Sequence, residues 1–240
     1  MNKMMKSAWA LLIMLPIAAF AQEKVVVNDP NAQVRNVGSF SEISVASSID
    51  LYLTNDDKET VVVSAREPSY RDRIVTRING NRLEIYYDNK GNTHWTDLRL
   101  KAYVSFKQLK KLKASGSSYI YMNGIIKTED LELSLSGSSD FHGALNVGNL
   151  RLDQSGSSDS KLSGRADNVD IDLSGASDVK GFDLTSNVCK VKLSGASDVS
   201  ITVNNELVVT ASGASDVKYK GAGVIKEIKT SGSSSVRKVE

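Results

Sequence analysis

Cysteine, proline and histidine are scarce in this chain, and each scarcity excludes something. Cys189 is the only cysteine, so an exported chain would hold no internal disulfide and must rely on packing and hydrogen bonding. The three prolines are Pro16, Pro30 and Pro68; the Pro-free stretch that follows suits an uninterrupted ladder of strands. The two histidines, His94 and His142, are far apart and lack metal-ligand spacing, and the repeated serines have no matching set of histidines to act as their bases. Surface or turn roles are expected for both. Only one long apolar run exists, Ala8 to Phe20, too short and wrongly flanked for a membrane span. Preceded by Lys3 and Lys6 and followed by Ala19-Phe20-Ala21, it reads as a secretory signal peptide over residues 1–21. No cysteine follows it to carry a lipid.

Charge of one sign is also lacking. Removing Lys3 and Lys6 with the signal peptide leaves 28 basic residues against 28 acidic ones. A neutral mature chain argues against nucleic acid as a partner, because phosphate binding needs an excess of Lys and Arg. The expected destination is outside the cytoplasm: periplasm, outer surface or medium.

What the chain does have is a repeat. Ser-Gly-(Ser/Ala)-Ser recurs seven times, its glycine at Gly116, Gly137, Gly156, Gly175, Gly195, Gly213 and Gly232. The spacings are 21, 19, 19, 20, 18 and 19 residues. Five copies continue with aspartate: Asp140, Asp159, Asp178, Asp198 and Asp216. The first copy has Tyr119 there and the last Ser235, atypical ends of the kind a capped stack would show.

Alternation flanks every glycine. Four residues before it stand Leu112, Leu133, Leu152, Ile171, Val191, Val209 and Ile228; four after it, Ile120, Phe141, Ser160, Val179, Val199, Val217 and Val236. Six before it the inner copies are apolar, Cys189 among them as a buried small hydrophobe, whereas the end copies carry Lys110 and Lys226. Period-two alternation means strands with one buried face. Five before the glycine, Lys111, Glu132, Arg151, Asp170 and Lys190 alternate in sign, which is favourable only if coil lies on coil. A period near 19 residues is too short for paired helices and fits a coil of two or three short strands with tight turns. The predicted fold is therefore all-β: a parallel β-helix over residues 111–240, right-handed by the usual bias of parallel crossovers. Residues 22–110 read as a less regular β region, either degenerate coils or a capping lobe, with a hairpin at Asn79-Gly80-Asn81, a turn at Asn89–Asn92 and one helical turn within Glu67–Ile74.

These residues carry a resemblance. Asn36-Val37-Gly38-Ser39-Phe40, Asn79-Gly80-Asn81-Arg82-Leu83 and the Ser-Gly-(Ser/Ala)-Ser-Asp iterations resemble the family called "putative auto-transporter adhesin, head GIN domain", over roughly residues 34–236. The resemblance implies an exported β-helical protein of Bacteroidetes-type bacteria with an adhesive or surface role. It brings no catalytic residues and no cofactor. Nothing after residue 232 has the length of a translocator barrel, so self-export is not expected.

In register, the five aspartates would form a column of carboxylates that must be solvated, paired or metal-bound. Capping of the adjacent turn is the favoured role, with His142, Lys161, Lys180, Lys218 and Arg237 close enough to neutralise them. Calcium and glycan binding are the other two readings, though no Gly-Gly-x-Gly-x-Asp pattern accompanies the period. Trp95 is a possible sugar-stacking aromatic. Two function classes follow: a non-catalytic binding or structural module recognising a surface glycan or protein, and a polysaccharide lyase or hydrolase using Asp153, Asp172 and Lys192 on one outward row. Short, near-identical repeats without long inserted loops favour the first.

Overall fold

The computed structural model describes residues 29–90 and 97–240. The segment expected to be a signal peptide, His94, Trp95 and part of the expected Asn89–Asn92 turn lie outside the described residues. The elements in chain order are β1 (Gln33–Arg35), β2 (Glu42–Val45), β3 (Asp50–Asn55), β4 (Thr60–Ser64), α1 (Pro68–Arg71), β5 (Ile74–Asn79), β6 (Arg82–Tyr87), β7 (Lys101–Phe106) and β8 (Lys111–Ala114). The longer ladder segments follow: β9 (Tyr119–Leu135), β10 (Asp140–Gln154), β11 (Asp159–Leu173), β12 (Asp178–Leu193) and β13 (Asp198–Ala211), then β14 (Asp216–Lys220), β15 (Val224–Thr230) and β16 (Ser235–Lys238).

From β9 onward each coil pairs in parallel with the next, like residue on like: Asp140 beside Asp159, Leu152 beside Ile171, Ile171 beside Val191. The seven glycines lie along one line. Ser138 N donates to Gly116 O at 2.7 Å, and Ser157, Ala176, Ala196, Ala214 and Ser233 repeat that bond to the preceding glycine at 2.8 Å. The aliphatic rows are buried against each other as the alternation requires, and each such side chain contributes about 1.5–3 kcal/mol. Ser160, the exception in its row, lies between Phe141 and Val179, a small residue beside a large one. Cys189 is fully buried between Val169 and Leu207.

Three expectations are corrected. The short strands of a coil are not each bounded by tight turns: from β9 to β13 the only break in the ladder is the turn at the repeat glycine, and the last coil adds a second at Gly221–Gly223 between β14 and β15. The other bends occur inside a continuous ladder, where Gly124 and Gly164 take positive φ and the register shifts after His142 and Lys161. Asn123-Gly124 and Ser163-Gly164 mark two of these bends in the sequence, but β10, β12 and β13 have no glycine at that point, so the bend does not show as a repeat. Lys226 does not close the row of Leu131, Leu150, Val169, Cys189 and Leu207: a bulge places Ile225 opposite Leu207 instead. The last copy, finally, is atypical without being covered. Among the described residues nothing lies over β15, whose residues are all exposed.

The N-terminal region is both degenerate coil and cap. The β2–β3 unit stacks on β8 and β9, while β6 and β7 stack on its other side, giving the orders β6–β2–β8 and β7–β3–β9. Antiparallel pairs, β5 with β6 through Gly80 and β4 with β7 and β1, close that end. The β2–β3 unit is an eighth coil. Val45 aligns with Ala114 and Leu51 with Ile120, so Ser47 and Ser48 occupy the turn that Gly116 and Ser117 occupy one coil on. Both serines hold left-handed backbone, φ 66° and 57°. A side chain fits there because both serines border an open cavity lined also by Leu98 and Arg99, rather than a glycine carbonyl.

Gly175 and Ser47 therefore respond oppositely to substitution. At Gly175, with φ +83°, a Cβ would overlap the Gly156 carbonyl oxygen. Gly175→Ala is expected to destabilise by about 2–5 kcal/mol, combining backbone strain with overpacking. Ser47→Gly relieves strain where no carbonyl intrudes and should stabilise by up to about 1 kcal/mol. Thermal melts of the two variants against the parent check both signs.

Candidate functional site

The repeated polar residues are engaged first by the coils themselves. Ser139, Ser158, Ser177, Ser197 and Ser215 are buried. Each hydroxyl donates to the carbonyl three residues earlier, at 3.0–3.2 Å. Four of these oxygens, from Ser158 onward, also accept the amide of the preceding coil's serine at 3.4–3.5 Å. A buried hydroxyl satisfied in both senses costs little and ties turn to turn.

The five aspartates stand in one column, which Asp50 and Tyr119 extend toward the N-terminal end. Three of these carboxylates accept an amide from the next coil rather than from their own turn: Asp159 N donates to Asp140 at 3.4 Å, Asp198 N to Asp178, and Asp216 N to Asp198 at 3.2 Å. Burial, then the Asp159 and Asp198 charges on either side, hold the Asp178 carboxyl above the ordinary range. Asp216 is lowered instead, first by the Ser235 hydroxyl and then by Arg237, whose guanidinium is 3.2 Å away. That is the one ion pair joining this column to the neighbouring basic row among the described residues. No three His, Cys, Asp or Glu side chains among the described residues converge to hold a metal ion.

The outward row beside the aspartates changes character along its length. From the N-terminal end it reads Val34, Val62, Tyr103, Tyr52, Tyr121, His142, Lys161, Lys180, Ser200, Lys218 and Arg237, each in register with the next. Tyr52 and Tyr103 stack with ring centroids 5.0 Å apart and planes 18° apart. Tyr121 follows them, 43% exposed. The three rings line a groove of about 560 Å³ over β3, β4, β7 and β9. Thr54, Thr60, Ser105 and Asn123 supply hydroxyl and amide groups to it, and Asp56 and Lys58 bring opposite charges. Burial raises the Tyr52 and Tyr103 phenols above their ordinary range, with nearby carboxylates adding to it, so both remain hydrogen-bond donors. Beside the groove, the Tyr119 hydroxyl lies 3.3 Å from His142 Nδ1.

Sequence reading missed these tyrosines. Tyr121 occupies the position five after Gly116, in the same row as His142. Aligning Asp50 with the aspartate column would have added Tyr52. Nothing local marks Tyr103, which reaches the row through the unforeseen β7–β3 pairing.

Asp153, Asp172 and Lys192 do share one outward row. Asp153 is held by Arg151 at 3.0 Å and Asp172 by Lys192 at 3.0 Å, so each carboxylate already has its cation. Of the alternating charges five before each glycine, Lys111 pairs with Glu132, while Arg151 turns to Asp153 on its own strand. Burial pushes the Cys189 thiol up to about 12, far from a nucleophile's range.

A family model described as "Putative auto-transporter adhesin, head GIN domain" matches residues 39–223. The chain belongs to that family. Solved structures agree with the architecture. A "putative adhesin" from Bacteroides fragilis is 18% identical, covers 87% of this chain and 96% of its own, and superposes with TM-score 0.78. A "putative adhesin" from Parabacteroides merdae is 20% identical over 88% and 96% of the two chains, TM-score 0.69. A "putative lipid binding protein" from Parabacteroides distasonis is 23% identical over 88% and 98%, TM-score 0.69. No curated protein matches the chain. Among the described residues, no helix of this head GIN domain is long and apolar enough to cross a membrane.

The aspartate column carries a pH signature. An acid with a raised folded pKa binds more protons folded than unfolded, so its ionisation costs stability; that cost is absent below the ordinary value of 3.8 and complete above the raised one. Asp178→Asn should therefore stabilise the fold at neutral pH, by at most about 1 kcal/mol, with the gain vanishing on acidification. Asp216→Asn should do the reverse, destabilising at neutral pH and losing its effect as pH falls. Thermal melts across pH 3–7 on the order of one unit apart resolve both trends.

Proposed function

We propose that this head GIN domain is an exported, non-catalytic binding module of the bacterial cell envelope, and that its contact surface is the tyrosine groove at the N-terminal end of the stack. The ligand class is a surface glycan. One observation carries this reading: Tyr103, Tyr52 and Tyr121 stand in register and open into a groove rimmed by hydroxyl and amide groups. Sugars present apolar C–H faces that pack on aromatic rings, and hydroxyls that need both donors and acceptors at the margin. Thr54, Thr60, Ser105 and Asn123 offer both senses. An acyl chain, by contrast, would leave that rim unpaired, which is costly. The family description and the adhesin neighbours support a binding role. Ion-paired carboxylates and a fully buried thiol give catalysis no support.

Glycan-array screening followed by calorimetry on the best oligosaccharide tests the proposal. Tyr52→Ala and Tyr121→Ala should each weaken binding about tenfold or more, the loss of one stacking surface. Tyr121→Phe should retain most of the affinity, because the ring face remains. Binding that survives both alanine variants, or preference for a lipid with no response to any oligosaccharide, would sink it.

A further inference from the structure

The C-terminal end of the stack is built unlike the other. In the row four residues before each glycine, Ile171, Val191 and Val209 are at most 3% exposed, whereas Ile228 is 44% exposed. Ile225, brought inward by the bulge at Lys226, is 38% exposed. Strand β15 pairs with β13 on one side, and among the described residues its other edge has no partner. Such an edge is a template for another strand.

From this edge we infer that the protein self-associates tail to tail, through antiparallel pairing of β15 with β15 of a second copy about a two-fold axis at Ile228. Three observations converge on that occupant and register. Ser231 N donates to Ala211 O at 3.0 Å, so Ser231 faces β13. Backbone groups alternate sides along a strand, hence Lys229 and Glu227 also face β13, while Ile228 and Thr230 point their N–H and C=O to the free edge. A two-fold axis through Ile228 then gives a hydrogen-bonded pair, Ile228 on Ile228, with Thr230 reaching the level of Lys226. The second observation is charge. Glu227 and Lys229 pair within each copy at 2.5 Å; in that register Glu227 of each copy also lies opposite Lys229 of the other, so the two intrachain pairs join into one alternating four-charge cluster. Axes through Glu227 or Lys229 would set like charge on like, and an odd offset would put outward residues against inward ones. The third is the apolar row itself: pairing at Ile228 continues the column of Ile171, Val191 and Val209 across the interface. A strand that is complementary to itself in one register selects a closed isologous dimer rather than an open fibre. The tyrosine groove lies at the opposite end, so the dimer would carry two outward-facing grooves. The inference stands independently of what those grooves bind.

Sedimentation equilibrium of the exported protein at several concentrations and salt levels tests it. A monomer–dimer equilibrium weakened by salt is expected. Glu227→Lys or Lys229→Glu alone should weaken the dimer about tenfold by opposing like charges, and the double variant should restore it. Circular dichroism and melting of each variant's monomer keep folding losses distinct from association losses. A monomer up to the solubility limit overturns the inference. So do open polymers, or a dimer indifferent to the single variants, or one that the double variant fails to restore.

Discussion

One short backbone contact sets the geometry of the whole stack: the amide after each turn glycine reaches the carbonyl of the glycine one coil before. The bond needs two turns to approach with no Cβ between them and needs the glycine in left-handed backbone, where φ runs from +71° to +87°. Once turns are locked at that distance, every row above and below is in register. The aliphatic rows can interlock, the serine hydroxyls can bridge turn to turn, and the aspartates have no choice but to stand in line. The carboxylate column is thus a consequence of the glycine column. Its self-repulsion is offset by amides donated from the next coil, and at the C-terminal end by Ser235 and Arg237.

Most of this was legible because a solenoid writes its contacts into its period. The glycine line, the buried rows, the place of Cys189 and the hairpin at Gly80 follow from spacing and alternation alone. What escaped reading escaped for physical reasons. The eighth coil is hidden because Ser47 and Ser48 do the work of glycine beside a cavity that tolerates a side chain. The second corner of most coils is a bend within a paired ladder; a positive-φ glycine stands at that corner in some coils (Gly124, Gly164, Gly221) and not in others, so no repeated signal marks it. The spatial order β6–β2–β8 depends on which coil end closes first, and no local pattern encodes that. Trp95 lies outside the described residues; the aromatic row over β3, β7 and β9 is made from Tyr52, Tyr103 and Tyr121, which are remote from one another in sequence.

The position of the groove follows from the same constraint. Inside the regular stack every coil offers nearly the same outward side chains as its neighbours, and the groove found there, about 470 Å³ beside Glu132, Arg151 and Asp170, is edged by charges and amides without an aromatic ring. Difference arises where the stacking order departs from chain order. There β3, with sequence unlike the repeats, is sandwiched between β7 and β9, and β4 folds back antiparallel on β7. Three tyrosines meet at that junction because three unrelated segments are forced into one register.

Electrostatics then shapes what such a groove would accept. Past Tyr121 the row becomes His142, Lys161, Lys180, Ser200, Lys218 and Arg237, which alone would draw an anionic chain along the rod. The aspartate column runs two residues away on the same face and in the same register, and it nearly matches the row in number. Opposite charges at that spacing cancel beyond a Debye length of about 8 Å at physiological salt, so a ligand approaching from solution meets a nearly neutral face. Selection therefore falls to short-range complementarity in the groove, ring face against C–H face and hydroxyl against hydroxyl. The near balance of 30 basic and 28 acidic residues is consistent with that division: long-range attraction contributes little, and shape and hydrogen bonding decide.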